Sequence, residues 1–426
     1  MPRSRSPLAI IFVTIFIDLV GFGIVIPVLP LYAERYGASE TVAGLLLAVY
    51  SVMQFIFAPV LGRISDLVGR RPVLLVSLLG TSVGFLLMGL ASHLPKGIAL
   101  FGMSATLIWL FIARLIDGMS GGNISTAQAY IADVTPPEER ARGMGLIGAA
   151  FGLGFTCGPV IGGVMSHISP EAPFFLAAGL AAANATALYF FLPESLSPEH
   201  RGQARRRNGL MEVLSQAGNW HLKTIMATYF FATVAFAMIT TTFALFAKRR
   251  FDFDATHTGY MLGYLGLLGA LIQGGLLGRL VKIAGEKSLA LMGTAIFAVS
   301  LFGLPIGDSL AMLLVCSTGI AIGNSFVTPT LNGMASKQVG PAGQGRILGV
   351  MTSVASLARI AGPILGGTLL ERDTTAVGRP LDHYGRTLSW SGAVLMLIAF
   401  GLAVAAYLTE SSATAVEQET LTIRDS

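Results

Sequence analysis

The sequence predicts an all-α membrane protein, with about twelve transmembrane helices in two pseudo-symmetric six-helix bundles. Three observations predict it. The 426 residues are 53% hydrophobic and only 12% charged, with a mean hydropathy of +0.70, which is more apolar surface than a soluble domain can keep from water. Apolar runs long enough to cross about 30 Å of hydrocarbon as helices recur along the whole chain. Finally, the chain repeats itself. Gly62-Arg63-Ile64-Ser65-Asp66-Leu67-Val68-Gly69-Arg70-Arg71 returns in worn form as Gly278-Arg279-Leu280-Val281-Lys282-Ile283-Ala284-Gly285-Glu286-Lys287, a shift of 216 residues from 62 to 278. Gly158-Pro159-Val160-Ile161-Gly162-Gly163 returns as Gly362-Pro363-Ile364-Leu365-Gly366-Gly367, a shift of 204 residues from 158 to 362. Two related halves of this kind are a common architecture of proteins that move solutes across membranes.

In chain order, the spans of the first half are read at 8–32, 41–61, 73–92, 104–131, 143–166 and 172–192. The first follows Arg3 and Arg5, contains Asp18, is too long for a secretory signal and has no A-x-A cleavage site behind it. The loop after the second span carries Gly62 and Gly69, which permit a tight reversal, and Asp66, Arg70 and Arg71, which set opposite charges at the membrane edge. Such charges can latch neighbouring helices in one conformation. The fifth span carries Gly148, Gly152, Gly154, Gly158, Gly162 and Gly163 at spacings near four, with Pro159 among them. Small residues let helices approach closely, and the proline removes a backbone hydrogen bond and supplies a flexing point. Residues from Pro193 to about Trp220, with the basic cluster Arg205-Arg206-Arg207, read as a linker. The second half is read at 222–247, 258–281, 288–306, 309–333, 346–370 and 387–408, with a polar tail after Thr409. The expected units are therefore bundles over 1–195 and 221–411, a cytoplasmic linker over 196–220 and a disordered cytoplasmic tail over 412–426.

The net charge of +5 does not indicate nucleic acid, because the basic residues are scattered over short loops and are not gathered with aromatics on one face. They read as topology signals. Arg3, Arg5, Arg63, Arg70, Arg71, Arg140, Arg142, Arg201, Arg279, Lys282 and Lys287 fall on one side, which positive-inside bias assigns to the cytoplasm together with both termini. Lys248, Arg249, Arg250, Arg372 and Arg379 lie in opposing loops and weaken the signal from the second half. Cys157 and Cys316 both fall within spans, so no disulfide framework is expected. The sequence contains no G-x-x-x-x-G-K-[ST] and no H-E-x-x-H, so neither ATP use nor a metal is indicated, and enzymatic chemistry is not expected.

Charged groups inside spans are the main functional candidates. Asp18 lies about ten residues, or roughly 15 Å, into the first span, near the bilayer midplane, where a carboxylate is costly and functional by default. Arg114 and Asp117 lie at similar depth in the fourth span on one helix face. Arg114 either pairs with Asp117 or serves Asp18, which needs a partner if ionised. Other polar groups and aromatics within spans, Gln54, Asn123, Gln128, Tyr229, Phe236, Tyr264, Gln273, Asn324 and Asn332, are candidates to line an amphipathic cavity.

Together these features resemble the major facilitator superfamily, and within it the drug:proton antiporters with twelve spans, most of all the tetracycline-efflux proteins. The likeness rests on Asp18-Leu19-Val20-Gly21-Phe22-Gly23, Pro27-Val28-Leu29-Pro30, Tyr50, Met53-Gln54, Phe57-Ala58-Pro59, Asp66, Gly69-Arg70-Arg71-Pro72-Val73-Leu74-Leu75, Tyr130-Ile131-Ala132-Asp133 and Ser169-Pro170. It implies the major facilitator fold and a latch in which Asp66, Arg70 and Asp133 help to hold the cytoplasmic side closed. It also implies an antiporter motif from Gly154 to Gly163, and proton-driven export of amphipathic drugs across an inner membrane. The chain departs from the tetracycline exporters at Gly84, where many have an aspartate, at Gly269, where some have a histidine, and near Phe297, where an aspartate is replaced. Asp117 is an acid where a neutral residue is more usual. The expected proton site is therefore Asp18 with Asp117, tuned by Arg114. The expected protein is a monomer that uses the proton gradient and no cofactor, with protons, lipid and a small-molecule substrate as its partners. Uptake or exchange of a sugar, peptide or lipid is the alternative on the same fold. A non-transporting membrane sensor is the alternative from another class.

Overall fold

The structure, a computed structural model, describes residues 7–94, 102–135, 140–197, 199, 201–202, 220–307, 309–339, 344–375 and 384–424. The first half comprises α1 (Pro7–Glu34), α2 (Glu40–Val68), α3 (Arg70–Leu90), α4 (Ala105–Ser120), α5 (Ile124–Val134), α6 (Arg140–Met165) and α7 (Ala172–Phe191). A short 3₁₀ turn, Gly121–Asn123, joins α4 to α5 into one crossing. The second half comprises α8 (Trp220–Phe251), α9 (Ala255–Leu271), α10 (Leu277–Gly303), α11 (Leu310–Lys337), α12 (Gln344–Thr375) and α13 (Arg386–Arg424), with a π-helical turn, Ile272–Leu276, between α9 and α10.

Among the described residues, eleven helical stretches are long and apolar enough to cross a membrane. One of them, Ala255–Gly303, has 49 residues, about 74 Å of helix and more than two bilayer cores. It reverses at Gly285 (φ 78°, ψ 158°), and its two arms supply the count of twelve. Gly69, 216 residues earlier, takes the same kind of non-helical backbone (φ 113°, ψ 159°) between α2 and α3. A positive φ is open to glycine and strained for other residues, so the second copy of the loop, worn in its side chains, keeps the residue that makes the turn.

Three spans begin on a side-chain cap. Ser39 accepts from the Val42 amide at 3.4 Å, Asp254 from Thr256 and His257 at 2.9 and 2.8 Å, and Ser309 from Met312 at 3.2 Å. Two apolar clusters fill the first half, one around Leu29, Leu46, Phe85, Leu110 and Phe174, the other around Ile11, Leu74, Leu78, Tyr130 and Leu188. A larger cluster around Phe246, Phe297 and Leu301 fills the second half.

The halves are joined by the duplicated glycine–proline motif. In each copy the first glycine packs within its own half: a Cβ added at Gly158 would come 2.7 Å from Gly23 and the Val20 carbonyl of α1, and one at Gly362 would come 2.6 Å from Ala237 of α8. The last glycine of each copy packs on the other half. A Cβ at Gly163 would lie 2.7 Å from the Ala255 carbonyl at the start of α9, and one at Gly367 would lie 2.5 Å from the Glu40 carbonyl at the start of α2. In return, Gly259 of α9 rests on the Pro159 carbonyl and Gly44 of α2 on the Pro363 carbonyl, too close for any side chain. The two joints are pseudo-symmetric copies, α6 on α9 and α12 on α2. Toward the Gly69 end the packing loosens. Gly148 and Gly349 have no atom where a Cβ would meet one, and Leu153 of α6, Leu348 of α12 and Leu271 of α9 are exposed.

The chain departs from the sequence reading at its C-terminus. Helix α13 runs to Arg424, past residue 411 where a disordered polar tail is expected, because no Gly or Pro follows Gly401 to stop it. The basic cluster Arg205-Arg206-Arg207 and most of the linker lie outside the described residues, as do Arg3, Arg5 and Arg379.

The close joint predicts a measurable effect. In a background without Cys157 and Cys316, cysteines replacing Ser39 and Glu371, whose side chains lie 3.0 Å apart across the halves, are expected to cross-link. Adding Gly44→Leu, which forces α2 off the Pro363 carbonyl, is expected to lower the cross-linked fraction severalfold. An unchanged yield would show that the joint tolerates a side chain.

Candidate functional site

The first half buries an ion set between its two apolar clusters. Helix α4 supplies Arg114 and Asp117 one turn apart, α1 supplies Asp18, and the 3₁₀ turn supplies Asn123. Arg114 Nη1 lies 2.6 Å from Asp117 Oδ2, with the arginine fully buried and the aspartate 2% exposed. Of the two roles open to Arg114, it takes the pairing with Asp117. Its Nε donates to the Leu46 carbonyl at 3.3 Å, its guanidinium lies 4.4 Å from the centre of the Tyr50 ring, and Nη2 has no partner. Asp18 is partly buried, with Asp117 the charge nearest in kind and the Asn123 amide as its polar neighbour. With both carboxylates ionised the set carries one net negative charge, and with one proton bound it carries none.

Glycines make room for this set. Gly84 of α3 lies against Asp117, where an added Cβ would come within 2.9 Å of the aspartate Cβ. Gly84 is also where the resemblance leads one to look for an acid, so the carboxylate here sits across the same α3–α4 contact, on the facing helix. Gly118 and Gly121 receive the backbone carbonyl and the hydroxyl of Tyr50, at 2.6 and 2.5 Å from the added Cβ. Tyr50 is 7% exposed and stands at the centre of this region. Its hydroxyl accepts from Gln54 Nε2 at 3.2 Å, while Gln54 also donates to the Gly121 carbonyl at 2.9 Å. Phe22 lies 5.1 Å from Tyr50, and Phe155 5.9 Å from Phe22, ring centre to ring centre.

The remaining cavity candidates lie in the second half. Gln273, within the π-helical turn, donates to Ser325 Oγ at 3.5 Å. Asn324 accepts from Thr328 at 3.3 Å, and Asn332 donates to the Thr328 carbonyl at 2.9 Å, so both serve their own helix α11. Phe236 packs edge-on against Phe297 at 6.3 Å, and Tyr229 is 8% exposed. Among the described residues, no hydrogen bond joins Gln273, Asn324 or Asn332 to Gln54 or to the ion set.

At the Gly69 end, Arg70 gathers the charges that the loop motif singles out. It contacts Asp66 at 2.5 Å and Asp133 at 3.1 Å, and donates to Ser65 Oγ at 2.7 Å. Glu194, which sequence reasoning missed, accepts from the Arg70 and Arg71 amides at 2.9 and 3.1 Å and occupies the space left by Gly69. Gly62 supplies the carbonyl that Ser65 caps at 2.7 Å. Arg71 turns outward over the Tyr189 ring at 5.5 Å. All these partners belong to the first half, tying the ends of α2, α3, α5 and α7 together. The matching place in the second half holds Glu286 and Lys337, 2.8 Å apart. These positions correspond to Arg70 by the 216-residue shift and to Asp133 by the 204-residue shift, so the pair is retained with its signs exchanged.

The end carrying Glu40 holds a second ion set, and this one does cross between the halves. Arg249 lies 2.6 Å from Glu40 and Lys248 3.0 Å from Glu34, while Glu371 accepts from Ser39 Oγ and the Thr41 amide, both at 3.0 Å. Glu40 is 5% exposed. A signal was available in the sequence: Lys248 and Arg249 are the cations that charge-based topology does not ask for, and here they have acids to meet.

Two helical halves, related by an internal repeat, joined by duplicated glycine contacts and carrying an intramembrane ion set in the first of them, define a polytopic transporter of the two-bundle type. The profile of the Major Facilitator Superfamily matches residues 11–363, and the chain belongs to that superfamily. It is 35% identical over 359 residues to the class E tetracycline resistance protein of Escherichia coli, covering 83% of this chain and 85% of that one. It is 29% identical to multidrug resistance protein 2 of Bacillus subtilis, covering 87% and 90%. Among solved structures it is similar to the human organic anion transporter TETRAN (TM-score 0.68, 25% identity, 95% and 100% covered). A bacterial homologue of the lysosomal transporter Spinster shares the fold at a TM-score of 0.78 and 14% identity, with 95% and 97% covered.

Two outcomes are expected from the ion pairs. Arg70→Ala removes the cation of Asp66 and one of the two donors of Asp133, the other being Ser195 Oγ at 3.0 Å, and should cost on the order of 1–3 kcal/mol of stability, read as a lowered unfolding temperature in detergent, with Asp66→Asn milder because Asp133 remains. At the other end, Glu40→Arg should raise labelling of a cysteine placed at Thr41 by an impermeant thiol reagent. Adding Arg249→Glu should restore protection, and failure of that rescue would remove the pair as the cause.

Proposed function

We propose that this transporter exports hydrophobic or amphipathic small molecules in exchange for protons, by alternating access, from an inner membrane in which both termini are cytoplasmic. The observation that carries the reading is the buried set Asp18–Arg114–Asp117 at mid-span. Such charges are costly in a membrane interior and are kept where a charge must be taken up and given back. Taking up one proton neutralises the set, and releasing it restores a net negative charge. Tyr50 and Phe22 lie beside the set, and α2, which bears Tyr50, runs along α12 of the other half. A change of charge there is therefore positioned to bias how the halves sit against each other.

The geometry also supplies a path for the motion. The halves are latched at the Glu40 end and, among the described residues, packed less closely toward the Gly69 end, with the glycine–proline joints between. Rocking about those joints would exchange which end is open. Export rather than uptake is favoured by the relatives named for tetracycline and multidrug resistance. The protein is proposed to work as a monomer, with the proton gradient as its energy source and no cofactor.

In proteoliposomes under an imposed pH gradient, tetracycline or the dye ethidium should move against its own gradient through the parent protein. Asp18→Asn and Asp117→Asn should each reduce that flux to the level of empty vesicles while leaving insertion and monodispersity intact. Uphill flux that persists at the parental rate in Asp18→Asn, with unchanged pH dependence, would overturn proton coupling through this set.

A further inference from the structure

The second half carries a charge that the ion set does not use. Arg359 lies about 18 Å along α12 from Ile347, where the described span begins, close to mid-span. It is partly buried, and its contact is with Ser356 Oγ, a neutral group one turn away on its own helix, at 3.4 Å. Among the described residues it meets no carboxylate. The register of the joint, with Gly44 of α2 on the Pro363 carbonyl and Gly367 of α12 on the Glu40 carbonyl, sets Arg359, one turn before Pro363, beside the stretch of α2 that follows Gly44 and carries Tyr50. A guanidinium at such depth ordinarily has an acid partner, and most of its donors are unspent here.

Helix packing does not require it. By the 204-residue shift that relates the glycine–proline motifs, the counterpart of Arg359 in the first half is Phe155, which packs against Phe22. The joint around Gly362 and Pro363 therefore works with an aromatic at this place in one copy and a cation in the other. Topology does not require it either, since positive-inside bias concerns loops and span ends. What remains is a planar cation on the α12 side of the α2–α12 joint, with Tyr50 of α2, Phe22 and Phe155 forming a chain of rings 5.1 and 5.9 Å apart in the other half. The loosened packing about Gly148 and Gly349 lies toward the Gly69 end of the same helices.

We propose that Arg359 is the seat for a negatively charged group of the cargo, so that the exporter inferred above carries amphipathic organic anions or zwitterions, compounds with a flat apolar body and a carboxylate-like acid. The guanidinium fork accepts a carboxylate through two parallel N–H donors, and the ring chain receives the apolar body. The acid set and the anion seat then stand in opposite halves. A proton neutralises the one, and an anionic group neutralises the other.

The test uses full-length protein purified in detergent and two near-isosteric probes, 1-naphthoate and the neutral 1-naphthamide, measured by equilibrium dialysis. The parent should bind naphthoate at least tenfold more tightly. Arg359→Gln should abolish that preference while keeping naphthamide binding, and Arg359→Lys should retain part of it, since the charge remains and the fork is lost. Equal binding of the two probes by the parent, absence of saturable naphthoate binding, or a preference unchanged in Arg359→Gln would each overturn the seat. If Arg359→Gln fails to fold and Asp18→Asn or Asp117→Asn rescues it, Arg359 is an internal counter-ion and the seat is likewise overturned. The two levels of inference separate in vesicles: ethidium export without naphthoate binding removes the seat and keeps the exporter, whereas naphthoate binding with no gradient-driven flux of any probe removes the exporter and keeps the seat.

Discussion

Everything else in this protein is arranged around the contact of backbone on backbone at two symmetric places. Gly163 against Ala255 and Gly259 against Pro159 bring α6 onto α9, and Gly367 against Glu40 and Gly44 against Pro363 bring α12 onto α2. In a bilayer, lipid is as apolar as leucine, so burial of apolar surface does not drive helices together as it does in water, and close packing takes its place. Glycines allow that approach at both ends of each contact. A joint made of backbone has no long side chains to interdigitate. A hinge there would unlock no core, which suits the rocking motion proposed above.

The ion set is placed where this arrangement tolerates it. Asp18, Arg114 and Asp117 lie between the two apolar clusters of the first half, and the Arg114 charge is offset locally by Asp117, the Leu46 carbonyl and the Tyr50 ring, while among the described residues Asp18 makes no ion pair. The unpartnered Arg114 Nη2 marks where compensation stops. A fully satisfied cluster would be a structural fastener. One with a net charge that changes with a single proton is able to report on its surroundings.

Much of this was legible in the sequence. Twelve spans, the repeat and the membrane class follow from apolar run lengths and two motifs, because a helix in lipid must satisfy its own backbone and its length is set by the bilayer. The depth of Asp18 and the Arg114–Asp117 spacing likewise follow from helical rise and period. What the sequence could not give are relations between distant segments. Glu194 closing on Gly69, Glu40 meeting Arg249 and Gly84 backing onto Asp117 join residues far apart in the chain, and no local pattern carries them. Arg359 was passed over for a different reason: a single cation in an apolar run is weighed against hydropathy, and its isolation becomes visible only when its neighbours are known. The tail reading failed because polarity suggested disorder, whereas helix termination depends on breakers, which are absent after Gly401.

The duplication shows which parts are mechanical and which are chemical. Both halves keep the reversal glycine, Gly69 and Gly285, and both keep the joint, since these are demands of geometry that each bundle must meet. The helix-end ion pair survives with its signs exchanged, Arg70–Asp133 in one half and Glu286–Lys337 in the other, so a pair is required there and its polarity is not. The mid-span charges are not duplicated. The shift of 204 residues carries Arg114 to Thr318, which hydrogen-bonds Tyr264 at 2.7 Å, and Asp117 to Ala321, while it carries Phe155 to Arg359. Had these charges served to hold the bundles together, both copies would need them, as both need the glycines. Their confinement to one half each fits the exchange proposed above, because two identical half-sites would bind the same species twice and could not exchange one for the other.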